Sequence, residues 1–161
     1  MFQVNDGDRV LRFEGELLAH SSSYHPGSHR WVEFDLYRTE GGSYVISRVG
    51  YSNLFHAAGC PIVNKRRHQP AQIATLTESS VPCDVCKPSL SIDEHAHEMI
   101  YPERPLPWAQ AAADAEAAIE ALAQYDVDGN RYFTHVARSL IRDAADVDDA
   151  LKDAYYVEVI A

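Results

Sequence analysis

The sequence has no apolar run approaching the ~20 residues that a membrane-crossing helix needs. Its first ten residues, MFQVNDGDRV, have neither the basic flank nor the apolar stretch of a secretory signal, so a soluble, cytoplasmic protein is expected, with no membrane partner. Cysteine is scarce. Three thiols cannot all pair, and thiols in a reducing compartment stay reduced, so a metal is the first reading to test for them. Positive charge is also scarce: 14 Lys and Arg stand against 24 Asp and Glu, a formal net charge of −10. Such a chain repels a phosphate backbone unless its basic residues are concentrated somewhere. There is no G-x-S-x-G elbow, no H-E-x-x-H helix and no glycine loop of the phosphate-cradling kind. No internal repeat is evident. With no convincing nucleophile or acid-base pair, the sequence points away from an enzyme and toward binding of a macromolecule.

What remains is an ordinary globular composition. The 161 residues are 46 % hydrophobic and 24 % charged, which fits a single compact domain over residues 1–161. The patterns read as α+β: an antiparallel β-meander over residues 8–50, an irregular middle module over 51–90, and a helical C-terminal half over 91–161. Val10 to His20 alternates like a half-buried strand. In residues 31–39, Val32, Phe34 and Leu36 share one face, Gly41 and Gly42 supply a tight turn, and residues 43–49 return as the third strand. The middle is broken by Gly50, Gly59, Pro61, Pro70, Pro82 and Pro88, has little apolar material, and needs a staple. Ser91 and Glu94 have capping-box spacing for a short helix. Trp108 to Tyr125 is rich in strong helix formers, with Trp108, Ala112, Ala115, Ile119 and Leu122 on one stripe. A second amphipathic helix carries Phe133, Val136, Leu140 and Ile141. Asp146 is placed to cap a last helix, and the apolar end, residues 157–161, suits a closing strand. Asp126, Asp128 and Asn130 read as a turn, because the bidentate position of a calcium loop holds Ala137.

One constellation carries chemistry. His56, Cys60, Cys83 and Cys86 form H-x3-C, a 22-residue gap and C-x2-C, a full ligand set for one tetrahedral zinc ion per chain. Four protein ligands leave no open position for water, so the site reads as structural. Lys65, Arg66, Arg67 and Lys87 lie close in sequence and can offset the charge of three thiolates. His68 is an alternative fourth ligand. Two other readings stand beside zinc: inert buried thiols, and a redox Cys83–Cys86 pair, although Pro88 interrupts the helix that such a pair usually opens.

The segments from Tyr51 to Cys60 (YSNLFHAAGC) and from Pro82 to Pro88 (PCDVCKP) resemble the small Ada-like zinc-binding module attached to competence-type membrane proteins and some secreted nucleases. The resemblance spans residues 50–88, about a quarter of the chain. It implies one structural zinc held by His56, Cys60, Cys83 and Cys86.

Charge is split unevenly. Residues 43–90 carry a net +3 and the rest −13. Two macromolecular roles follow. In the first, the acidic helical region, with Asp143, Asp146, Asp149 and Asp153, docks on a protein partner with a basic surface, as an inhibitor of a nucleic-acid-handling, defence-type machine would. In the second, the basic loop bearing Lys65, Arg66, Arg67 and His68 contacts nucleic acid. A hydrolase built on His95 or His97 is an outlying third reading.

Overall fold

A computed structural model of the chain describes residues 1–57, 59–61, 63, 70–72, 80–85 and 99–160. The elements are β1 (Phe2–Asp6), β2 (Arg9–Phe13), β3 (Gly15–Ser22), β4 (Arg30–Thr39), β5 (Tyr44–Ser52), β6 (Leu54–Ala57), β7 (Ala71–Gln72), β8 (Val81–Pro82), β9 (Met99–Pro102), β10 (Leu106–Ala112), α1 (Ala115–Leu122), β11 (Gln124–Tyr125), β12 (Arg131–Tyr132), α2 (His135–Ala145) and α3 (Asp149–Tyr156). The protein is mixed α+β with antiparallel sheets. The chain divides into two compact units. One comprises Met1–Ser23, Val32–Val49 and Pro107–Ala161, and the other Tyr24–Trp31 and Gly50–Leu106.

In the first unit four strands run in the order β10-β5-β4-β3. The β4–β5 turn closes as the glycines require: Gly42 has φ +86°, and its N–H donates to Thr39 O at 3.0 Å. Alternation sends side chains to two faces. Phe34, Leu36, Tyr44 and Ile46 pack with Ile119, Leu122, Leu140, Ile141 and Leu151 of the helices. Tyr37, Val45 and Ala109 point the other way, against Val4, Phe2, Leu11 and Phe13 of the β1–β2 hairpin. The sheet is thus the middle layer of three.

Several expectations are corrected here. Val10 to His20 is not one strand: it breaks at Glu14 into β2, which pairs with β1, and β3, which pairs with β4. Trp108 to Tyr125 is not one helix. Residues 106–112 form β10, and α1 begins only after Asp114, whose carboxylate accepts from Ala117 N at 2.8 Å. The reason lies in the spacing. Trp108 and Ala112 are four apart, which is one face of a helix and also one face of a strand, so the stripe could not distinguish the two periods. Ala109, buried on the opposite face, does.

Asp146 caps the C-terminus of α2, and the N-cap of α3 is Asp148, whose side chain accepts from Leu151 N at 2.9 Å. Residues 157–160 belong to no strand and are exposed. The region 91–161 is therefore not simply helical, since β9 to β12 lie within it. The turn read at Asp126 to Asn130 is present, with Asp126 Oδ1 accepting from the N–H groups of Asp128 and Asn130 at 2.9 and 2.8 Å. The helix expected from Ser91 through Glu94 lies outside the described residues.

The second unit holds a small sheet in the order β7-β9-β6-β8, so the described middle is less irregular than its prolines suggest. Strand β6 is central. It pairs antiparallel with β9, His56 opposite Tyr101, and parallel with β8, Phe55 opposite Pro82. Phe55 and Ile100 are its buried apolar pair, with Ala71 packed against them.

Candidate metal centre

The small sheet brings three chemically active side chains to one place. His56 lies on β6 and is fully buried. Cys60 follows in the turn that ends β6, where its N–H donates to Ala57 O at 3.0 Å. Cys83 directly follows β8, and its N–H donates to Phe55 O at 3.0 Å, which holds it beside β6. A 23-residue separation is thereby closed by strand pairing. Cys60 Sγ is 3.7 Å from His56 Nδ1 and 3.7 Å from Cys83 Sγ. All three donor atoms lie within 4.8 Å of one another, and this is the only such His, Cys and carboxylate group among the described residues that could hold a metal ion. Cys60 and Cys83 are not bonded to each other. Cys86 lies outside the described residues, as do Lys65, Arg66, Arg67, His68, Lys87, His95 and His97.

The distances have a chemical meaning. A tetrahedral ion with sulfur at about 2.3 Å and nitrogen at about 2.0 Å has edges of about 3.8 Å between sulfurs and about 3.5 Å between sulfur and nitrogen. The observed 3.7 Å separations match those edges. They are too long for a disulfide, whose sulfurs are bonded at about 2.05 Å.

A second ring of residues surrounds the cluster. His56 Nε2 lies 3.1 Å from Glu103 Oε2, and both side chains are essentially inaccessible. Glu103 also accepts from both arms of Arg30, at 2.9 and 2.7 Å, and from Ser52 Oγ at 2.7 Å. Ser52 Oγ in turn accepts from Leu54 N at 3.0 Å, at the start of the strand that carries His56. Burial pushes the Glu103 carboxyl up, but hydrogen bonds from Arg30, Ser52 and His56 outweigh it and hold the group far below the usual carboxylate range. The Arg30 guanidinium is pushed up, chiefly by the same carboxylate. A cavity of about 480 Å³ adjoins the cluster, lined by His56 and Cys83 together with His29, Arg30, Leu54 and Val85.

Sequence reasoning missed Glu103, Arg30 and Ser52. The one available signal was Glu103 itself, the only acidic residue in the stretch from Met99 to Ala113. Of the acidic residues of the helical region, Asp143, Asp146, Asp149 and Asp153 are exposed. Asp148 is different. It is buried, accepts from Tyr44 Oη and pairs with Arg38 Nη1 at 3.0 Å, so it belongs to the framework of the first unit.

No family model matches the sequence, and no curated protein or solved structure is found similar to it. No helix among the described residues is long and apolar enough to cross a membrane.

Proposed function

We propose that the protein binds one zinc ion through His56, Cys60 and Cys83, with Cys86 as the fourth ligand, and that this ion is structural. The observation that carries the reading is the convergence of one imidazole nitrogen and two sulfurs at the edge lengths of a tetrahedral ion. Imidazole and thiolate together suit zinc and disfavour calcium and magnesium, which take oxygen ligands. A fourth thiolate closes the coordination sphere to water, which assigns the ion to holding residues of the small sheet together.

On this scaffold the protein acts as a non-enzymatic, acidic interaction protein of the cytoplasm. Residues 114–158 carry eleven acidic against four basic side chains, and the four aspartates Asp143, Asp146, Asp149 and Asp153 all face solvent. A surface of that sign selects a partner with a basic surface, and a machine that handles nucleic acid is one whose basic groove such a protein would block.

The test is affinity capture from native lysate with and without nuclease, with zinc per chain quantified on the same sample. One zinc per chain and a nuclease-resistant basic partner are expected, and the triple variant Asp146→Lys, Asp149→Lys, Asp153→Lys should lose that partner. Loss of all bound material on nuclease treatment would overturn the acidic reading and favour the basic loop Lys65 to His68 as a nucleic-acid contact.

A further inference from the structure

We infer that Glu103 is a positioning residue of this metal centre: it holds the Nε2 side of His56, so that the metal is bound through Nδ1. This rests on the metal-binding reading above and goes beyond it, by assigning the ligating atom and the residue that selects it. An imidazole has two nitrogens, and which one ligates is set by the hydrogen bond that the other makes.

Here the two nitrogens face different things. Nδ1 faces Cys60 Sγ at 3.7 Å, and Nε2 faces Glu103 Oε2 at 3.1 Å. A carboxylate has only acceptors, so the proton of a neutral imidazole belongs on Nε2, and the Nδ1 lone pair is left for the ion. Glu103 cannot readily turn away. Its two oxygens are engaged by the planar fork of Arg30, at 2.9 and 2.7 Å, and one also by Ser52. The residues that orient the carboxylate thus come from two strands, β4 and β5, while the carboxylate follows β9 and the histidine stands on β6. Charge favours the same arrangement: Arg30 balances Glu103, and a carboxylate behind a ligating histidine makes the imidazole a stronger donor.

Two measurements on the full chain test this. In the zinc-loaded protein, long-range 15N–1H correlation of the His56 ring is expected to show a protonated Nε2 and a metal-bound Nδ1. This needs no variant, so it survives if substitutions at Glu103 impair folding. In a zinc titration against a chromophoric chelator, Glu103→Gln is expected to bind about 10- to 100-fold more weakly than the wild type, the usual effect of removing such an outer partner. Glu103→Asp should recover part of that loss. A merely structural role for Glu103 would lower thermal stability of the zinc-free chain but leave zinc affinity unchanged. Zinc bound through Nε2, or a Glu103→Gln affinity within twofold of wild type, would overturn this inference and leave the metal reading standing. Failure of the wild-type chain to take up zinc would overturn both.

Discussion

Asp148 stands in a run of aspartates that look alike in the sequence, and replacing it should separate a framework carboxylate from its solvent-facing neighbours. The side chain is fully buried and has three roles at once. Its Oδ1 caps α3 through Leu151 N at 2.9 Å, a contact whose loss costs about 1 kcal/mol. Both of its oxygens receive the Tyr44 hydroxyl at 3.1 Å. Removing them strands that hydroxyl in the core, at about 1–3 kcal/mol. The pair with Arg38, whose side chain is 40 % exposed, adds a smaller, solvent-screened increment. Asp148→Ala should therefore destabilise the protein by about 3 kcal/mol, which for a chain of this size lowers Tm by about 6–12 °C. Urea and thermal unfolding followed by far-ultraviolet circular dichroism read the change directly. Asp153→Ala, in the same stretch but exposed, should leave the midpoint nearly unmoved. In a double-mutant cycle, Asp148→Ala and Tyr44→Phe should be strongly non-additive, because the two remove one shared contact. A cost below about 1 kcal/mol for Asp148→Ala, or additivity with Tyr44→Phe, would refute this account of the acidic run.

The same pair carries a pH dependence. Burial, reinforced by Asp148, pushes the Tyr44 hydroxyl up to about 12 from its ordinary value of 10.0. The folded chain keeps a proton that the unfolded chain releases above pH 10, so rising pH favours unfolding. The wild type should lose about 2 kcal/mol relative to Tyr44→Phe between pH 10 and 12, as read by urea midpoints across that range. Chelation of the metal should raise amide exchange first at residues 54–60 and 81–85, with the helices of the first unit protected longest; uniform deprotection would contradict a local staple. His56→Ala and Cys83→Ser should each abolish stoichiometric zinc in elemental analysis. Gly15→Ala should cost about 1–3 kcal/mol by overpacking, since a Cβ there would collide with the Arg38 carbonyl and come within 2.8 Å of Thr39 Cα. A thermal midpoint equal to wild type would count against the tight β3–β4 register at that position.

Local signals were legible without the structure. Val32, Phe34 and Leu36 do share a face, two of them buried, because a strand alternates with a period of two. Gly41 and Gly42 do lie in the hairpin turn, but only Gly42 takes the positive φ that glycine adopts without strain. His56 and Cys60 are four residues apart and meet within one turn. What pattern alone left open was any choice that depends on neighbours. Trp108 and Ala112 fit helix and strand alike, and only the presence of β5 alongside, with the β1–β2 hairpin waiting on the far face, made a strand of that segment.

The sequence by itself thus determined the chemistry available: three thiols that cannot all pair, a histidine and cysteine spaced for one ion, an excess of carboxylates, and the turns that glycine and aspartate impose. Tertiary structure decided which of those groups work together. It carried Cys83 to Cys60 across 23 residues, set Glu103 and Arg30 behind His56, and buried Asp148 while leaving Asp146, Asp149 and Asp153 in water. The reason is physical. Spacing along a chain governs contacts only within a turn or two, whereas burial and the pairing of distant charges depend on which surfaces the strands and helices bring face to face.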